Sequence, residues 1–244
     1  MSLLSAPEIT LAISNKQDGN MSFKWTKCAS ELIKSRSHFL AKHGLELKNC
    51  ILPSLTHEDQ IVIVYEEDKG KGMSDPDTRI EAEALITNTP NLGLCIITAD
   101  CFPVIYYDPE EKVIALAHLG WKPAGKGLAA QVVKKMQSEF NSKPNNLKVY
   151  IGPGIHTNSY RYDKPLQQNF PEWKPYLKPI PNTNELSIDL LGFIVNQLKE
   201  VGVDESNLEI STIDTATNLN FYSHYRSKKT GEAEGRFITV VALK

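Results

Sequence analysis

Cys101 and His118, followed by a lysine-bearing glycine-rich stretch, carry the most reactive chemistry in the sequence. Residues 104–107 and 113–118 are apolar runs separated by Asp108-Pro109-Glu110-Glu111-Lys112, a turn signal between two strands. With the turn centred near Glu110, Cys101 falls opposite Leu119 and within one position of His118. Directly opposed residues of an antiparallel pair have Cβ atoms only about 4.5–5.5 Å apart. A thiol and an imidazole at one end of one hairpin admit three readings. They can ligate a metal, act as nucleophile and base, or form a buried pair without chemistry. Pro103 marks an edge or a bulge in the first of these strands.

The next residues, Gly120-Trp121-Lys122-Pro123-Ala124-Gly125-Lys126-Gly127, read as a glycine-rich loop running from a strand into a helix. N–H groups at a helix start and the charges of Lys122 and Lys126 attract anions. The spacing formally matches a nucleotide-binding GxxxxGK loop. However, Gly127 stands where that loop needs Ser or Thr for Mg²⁺, and Pro123 removes a cradling N–H. A nucleotide hydrolase is thereby excluded, and a simpler anion pocket remains.

A metal site would need a further ligand. His38 and His43 fall on or at the end of a helix, and His156 and His224 in loops. His57 precedes the strand-like run 60–65; a lone loop histidine is solvated by default. Of the four cysteines, Cys28, Cys50 and Cys95 read as buried thiols, and no CxxC pair exists.

The elements that must position these groups follow from hydrophobic periodicity. Residues 26–43 and 127–140 read as amphipathic helices, and a third begins near Ser187 as N-cap and ends before Gly202. Strand-like runs occupy 9–13, 60–65, 92–98, 104–107, 113–118, 147–151, 208–213 and 237–243. Their mixed order points to α+β, and runs apolar throughout imply strands covered on both faces. The proline-rich segment 171–181 reads as a packed excursion, not a linker, so residues 1–244 form a single domain.

Composition bounds the function. The 27 Lys+Arg and 29 Asp+Glu leave a net charge of −2, which argues against a nucleic-acid binder. No apolar run approaches the ~20 residues of a membrane span. Residues 1–13 lack the basic start of an export signal and carry Glu8. A soluble cytoplasmic protein is the expectation.

Thr98-Ala99-Asp100-Cys101-Phe102-Pro103-Val104 and Ala117-His118-Leu119-Gly120-Trp121-Lys122 resemble the TADC-x-P and AH-x-GWR signatures of the YfiH-like laccase-domain, or polyphenol oxidase, family. Ala82-Glu83-Ala84-Leu85-Ile86-Thr87 is similar to its ADALVT, and residues 54–57 occupy the place of its QVH segment. Ile151-Gly152-Pro153 matches IGP. Phe221-Tyr222-Ser223 with Gly235-Arg236 resembles FFSYRR…GR. The resemblance implies a layered α/β/β/α domain with a mixed β-sandwich core, an architecture shared with glutamine-deamidating toxins. It also implies a metal, zinc or alternatively copper, held by His57, Cys101 and His118 as catalytic residues.

Described activities of that family are copper polyphenol oxidation, adenosine deamination and nucleoside phosphorolysis with zinc, and peptidoglycan editing. Two imidazoles and a thiolate leave one zinc position open, as hydrolytic chemistry requires. Phosphorolysis needs a basic pocket for phosphate, for which Lys122, Lys126 and Arg226 are the candidates. Six histidines are few for a multicopper oxidase. The leading expectation is therefore a zinc-dependent enzyme acting on purine nucleosides by deamination, phosphorolysis or both, with phosphate as the co-substrate of the second. A copper polyphenol oxidase, a Cys101/His118 hydrolase or amidase acting on cell-wall precursors, and a non-catalytic metal-containing binding module are the alternatives. Departures from the family pattern concentrate at the site: Lys122-Pro123 for Arg-Gly, Gly154 and Asp214 for cysteines, and His224-Tyr225-Arg226 for Tyr-Arg-Arg.

Overall fold

Alternating apolar residues build two facing sheets, and the computed structural model, which describes residues 3 and 6–244, shows how they stack. Residues 1, 2, 4 and 5, part of the stretch read above for an export signal, lie outside the described residues. The first half of the chain carries β1 (Ile9–Ile13), α1 (Ala29–Ala41), β2 (Cys50–Ile51), β3 (Ile61–Ile63), β4 (Ala84–Thr87) and β5 (Gly93–Thr98). The hairpin β6 (Phe102–Asp108) and β7 (Val113–Leu119) follows, then α2 (Trp121–Gly125), α3 (Leu128–Phe140) and β8 (Lys148–Ile151). Three short strands, β9 (Arg161–Tyr162), β10 (Leu177–Pro179) and β11 (Leu186–Ile188), precede α4 (Leu190–Glu200). The chain ends with β12 (Leu208–Ile210), α5 (His224–Thr230) and β13 (Phe237–Leu243).

One sheet has the order β1-β13-β5-β2 and the other β12-β8-β6-β7-β4-β3; β10-β11-β9 forms a small third sheet. Strand periodicity sorts the side chains into layers. Leu94, Ile96 and Val241 of the first large sheet meet Ile105, Leu116 and Leu85 of the second in a shared core. On the outer face of the six-stranded sheet, Val104, Tyr106 and Ala115 pack against Val132 and Met136 of α3 and Ile194 and Leu198 of α4. On the outer face of the other sheet, Cys95, Val240 and Ala242 pack near Phe39 and Leu40 of α1. The fold is therefore α+β with the layering α/β/β/α around a mixed sandwich. Burial at about 25 cal/mol per Å² of apolar surface supplies the drive for each interface.

Several expected boundaries move. The third helix starts at Leu190 with Asp189 as its cap, its side chain accepting from Gly192 N, while Ser187 lies in β11. Asp189 wins because the strand pairing of Ser187 with Lys178 and Arg161 has already committed that residue to extended backbone. The stretch after Gly120 is not an open loop, since Trp121–Gly125 forms a helical turn. Cys28 is a half-buried residue at the start of α1, not a core thiol. Among the described residues no helix is long and apolar enough to cross a membrane.

Candidate active site where the chain crosses between sheets

β5 belongs to one large sheet and β6 to the other, so Ala99-Asp100-Cys101 carries the chain across the end of the sandwich. The crossing requires a left-handed backbone at Asp100, φ 84°. Its carboxylate offsets that strain by accepting from Thr215 Oγ1 at 2.7 Å and Tyr225 N at 2.6 Å, and its carbonyl accepts from Ile155 N at 2.8 Å. Burial pushes the Asp100 carboxyl up, against hydrogen bonds from Tyr225, Ser223 and Thr215. The effect is to fix the position of Cys101.

The hairpin brings His118 to that cysteine with a register one step from the expected one. Phe102 pairs with Leu119 and Pro103 with His118, which leaves Cys101 beside Gly120. The cause is the turn: Asp108 pairs with Val113, and its Oδ1 accepts from Glu110 N and Glu111 N, so the loop holds four residues. Pro103 produces no bulge: β6 is paired on both sides, and the proline sits beside His118 just before Val104, where the register with β8 begins. Its carbonyl still accepts from Gly152 N at 2.8 Å.

Gly120 reports the convergence of thiol and imidazole directly. A Cβ there would lie 2.9 Å from Cys101 Sγ, too close without a shift of the thiol, and 3.8 Å from His118 Cε1, an ordinary contact, so thiol and imidazole border the same small space. His118 is buried, and its Nδ1 shares a proton with Glu83 Oε2 at 2.7 Å. Burial alone would lower the His118 pKa. The charge and hydrogen bond of the Cys101 sulfur, together with the Glu83 carboxylate, outweigh it and push His118 up to about 10.

Glu83, fully buried just before β4, also accepts a hydrogen bond from His57 N through its other oxygen. One carboxylate thus holds the backbone of one histidine and the ring of the other. Burial would raise the Glu83 pKa, but His118 and the His57 N–H hold it below the ordinary carboxylate value. His57 adopts φ 63° and places its ring 5.2 Å from that of His118, nearly perpendicular to it. His57 is exposed at the cavity rim, yet protein atoms crowd its ring. This desolvation, then the charges of His118, Lys122 and Arg236, keep it below its ordinary pKa.

His57, Cys101, Gly120 and Trp121 line a cavity of about 270 Å³ that Tyr160, Tyr162, His224 and Tyr225 close from the far side. A second cavity of about 240 Å³, lined by His57, Trp121, Lys122, Lys126 and Phe170 among others, opens on the other side of Trp121. Among the described residues no group of three His, Cys, Asp or Glu side chains is arranged to hold a metal ion. The three expected ligands share the site without forming a closed coordination set.

The expected cationic rim is corrected in two places. Arg226 is buried and spends its guanidinium on the carbonyls of Thr215 and Phe221 at 2.6 and 2.7 Å and on Glu232 at 2.8 Å. It staples the loop before α5 and lines neither cavity. Lys126 is exposed and paired with Glu58 and, at 3.8 Å, Asp59. Lys122 remains at the second cavity, and Arg236, noted in sequence only as part of a motif, adds positive field at His57. Glu83 too escaped notice as a site residue, because nothing in the spacing of a carboxylate one residue ahead of a strand signals its partners.

Two departures have local explanations. At Gly154 a Cβ would meet the Phe102 ring at 2.3 Å, so no larger residue fits there. Asp214 accepts from Ser159 Oγ and Ala216 N and organises the loop that delivers Thr215 to Asp100.

Fold and site together define a laccase-domain protein: the chain belongs to the family described as multi-copper polyphenol oxidoreductase laccase, whose model matches residues 12–244. Among its relatives, "Purine nucleoside phosphorylase YlmD" of Bacillus subtilis is 25% identical over 228 residues, covering 88% of this chain and 78% of that protein. "Purine nucleoside phosphorylase SSP1584" of Staphylococcus saprophyticus is 27% identical, with 91% and 87% covered. The crystal structure of the Bacillus licheniformis hypothetical protein YfiH superposes with a TM-score of 0.87 at 27% identity, covering 97% of this chain and 93% of that one. YlmD from Geobacillus stearothermophilus shares the fold with a TM-score of 0.88 at 23% identity, over 98% and 94% of the two chains.

Proposed function

We propose that the chain is a metal-assisted purine nucleoside phosphorylase working at the His57–Cys101–His118 site. The observation that carries this reading is the buried Glu83–His118 pair set against Cys101 at a cavity of about 270 Å³, in a chain whose relatives bear the name purine nucleoside phosphorylase. That volume sits near the lower end of small-molecule pockets, roughly 300–1,000 Å³.

The donor set suits zinc, with copper as the alternative: His57 and His118 offer imidazoles and Cys101 a thiolate. Glu83 already occupies Nδ1 of His118, the outer carboxylate that orients a metal-binding histidine. His57, Cys101 and His118 would hold the ion. A bound zinc supplies Lewis acidity toward a substrate oxygen. The protein supplies the rest. Lys122, at the second cavity, would draw phosphate toward His57, and Trp121 lies between the two cavities. A phosphate oxygen then bonds to C1′ of the ribose as the C1′–N9 bond breaks; the bonding pair leaves with the base, which takes a proton. Water attacking C6 of adenosine in the same cavity, with loss of ammonia, is the companion deaminase activity of this reading.

Protein purified without a histidine tag, analysed for metal and incubated with adenosine with and without phosphate, tests it. Adenine and ribose 1-phosphate mark phosphorolysis, and inosine marks deamination. If none appears above a His118→Ala control, the reading is wrong.

A second reading has its own observation: Glu83, His118 and Cys101 form a series of orienting carboxylate, base and thiol, the arrangement of a cysteine hydrolase or amidase. It requires activity that survives chelation and is abolished by alkylating Cys101.

A further inference from the structure

Three tyrosines form the cavity wall that faces Cys101. Tyr162 lies in β9, Tyr160 just before it, and Tyr225 in α5. Ring centroids are 5.9 Å apart for Tyr160–Tyr162, 6.4 Å for Tyr160–Tyr225 and 5.5 Å for Tyr162–Tyr225, with interplanar angles of 79°, 88° and 87°. The three planes are mutually near-perpendicular, like the faces meeting at the corner of a box. Aromatic rings favour offset-stacked or edge-to-face contacts. A planar ligand entering this corner lies parallel to one ring and edge-on to the other two.

Two of the rings are pinned by their hydroxyls. Tyr160 Oη accepts from Gln167 Nε2 at 3.3 Å. Tyr225 Oη donates to the Arg161 carbonyl at 2.9 Å, and Tyr225 N donates to Asp100. Tyr162 is different: 44% of it is exposed, and its hydroxyl makes no hydrogen bond among the described residues. It offers a ring surface and a polar handle to whatever enters. The wall is also a departure from the resembling family, because Tyr225 stands where its FFSYRR motif has arginine.

We propose that Tyr162 is a specificity-determining residue that stacks the purine base, with the ribose directed toward Cys101 and His118. This rests on the nucleoside reading above and adds the place and chemistry of base recognition. A bicyclic purine covers more of the corner than a single pyrimidine ring, so the wall selects purines by contact area. Loss of one base–aromatic stack costs about 5–150-fold in affinity, the range of ~1–3 kcal/mol.

The test compares wild type, Tyr162→Leu and Tyr162→Phe, with Tyr65→Leu as an exposed-tyrosine control outside the cavity. For adenosine phosphorolysis, Tyr162→Leu raises KM about ten-fold with kcat within two-fold, and Tyr162→Phe, which keeps the ring, recovers KM. In parallel, adenosine is titrated against intrinsic tryptophan fluorescence without phosphate, since Trp121 lines the same cavity. A KM for Tyr162→Leu unchanged in an active enzyme, or an unchanged Kd in the titration, overturns the inference and leaves the phosphorylase reading intact. If wild type turns over nothing, the phosphorylase reading falls. A Kd weakened about ten-fold by Tyr162→Leu then still supports the stacking wall.

Discussion

Replacing Glu83 by glutamine removes one charge and little else, and it addresses the element on which the site depends. Glu83 is fully buried, His118 is 3% exposed, and the carboxylate serves both the His118 ring and the His57 backbone. Glutamine keeps the length and one acceptor oxygen, so the His57 N–H retains a partner. The charge assistance to His118, which makes such a bond about twice as strong as a neutral one, is lost. Removing an outer-sphere partner of a metal-binding histidine costs 10–100-fold in metal affinity or activity, about 1.4–2.7 kcal/mol. Glu83→Gln is therefore expected to bind zinc and to turn over adenosine 10–100-fold more weakly. Its far-UV spectrum stays native, and the His118 ring titrates at lower pH by NMR. Glu83→Ala also strands the imidazole and loses about 3–5 kcal/mol of stability. Zinc affinity, kcat/KM and His118 titration all unchanged in Glu83→Gln would refute the positioning role.

His118, with the Cys101 sulfur and Glu83 beside it, sets a pH window in metal-free protein. His118 is raised above its ordinary value, so its contribution is complete below about pH 6.5 and lost as pH rises through about 10. Glu83 is lowered, so its contribution is present above its ordinary carboxylate pKa and lost as pH falls through the folded value. Urea unfolding should accordingly show the largest difference between wild type and Glu83→Gln near pH 5–6.5, shrinking toward pH 10. Gly120→Ala puts a methyl 2.9 Å from Cys101 Sγ; it should cost about 1–3 kcal/mol and slow alkylation of that thiol, both measurable on purified protein. Arg226→Gln should lower Tm by about 10 °C through its stranded carbonyls, whereas Lys126→Ala should leave both Tm and the KM for phosphate unchanged. The reverse pattern in phosphate KM would restore both residues to the anion pocket.

The sequence by itself determined the α+β class, both terminal strands to the residue, and the meeting of Cys101 with His118, because strand periodicity and turn chemistry are local properties written in neighbouring residues; the layering came only from the family resemblance. The off-by-one register arose from the one feature that spacing does not carry, the side chain of Asp108 closing a four-residue loop. Short strands such as β2 and β9 gave no periodic signal, having two residues each. What only the tertiary structure decided was which charges are free. Lys126, Arg226 and Arg236 look alike in sequence, yet Lys126 is paired with Glu58 at the surface, Arg226 is consumed by buried carbonyls, and Arg236, itself paired with Glu234, still adds positive field at His57. Glu83 reaches two histidines because β4 lies beside β7 in the sheet and His57 lies in the segment just before β3. Hydrogen bonds and Coulomb interactions act between groups far apart in the chain. Their assignment therefore waits on packing, while backbone propensity acts on neighbours and can be read in advance.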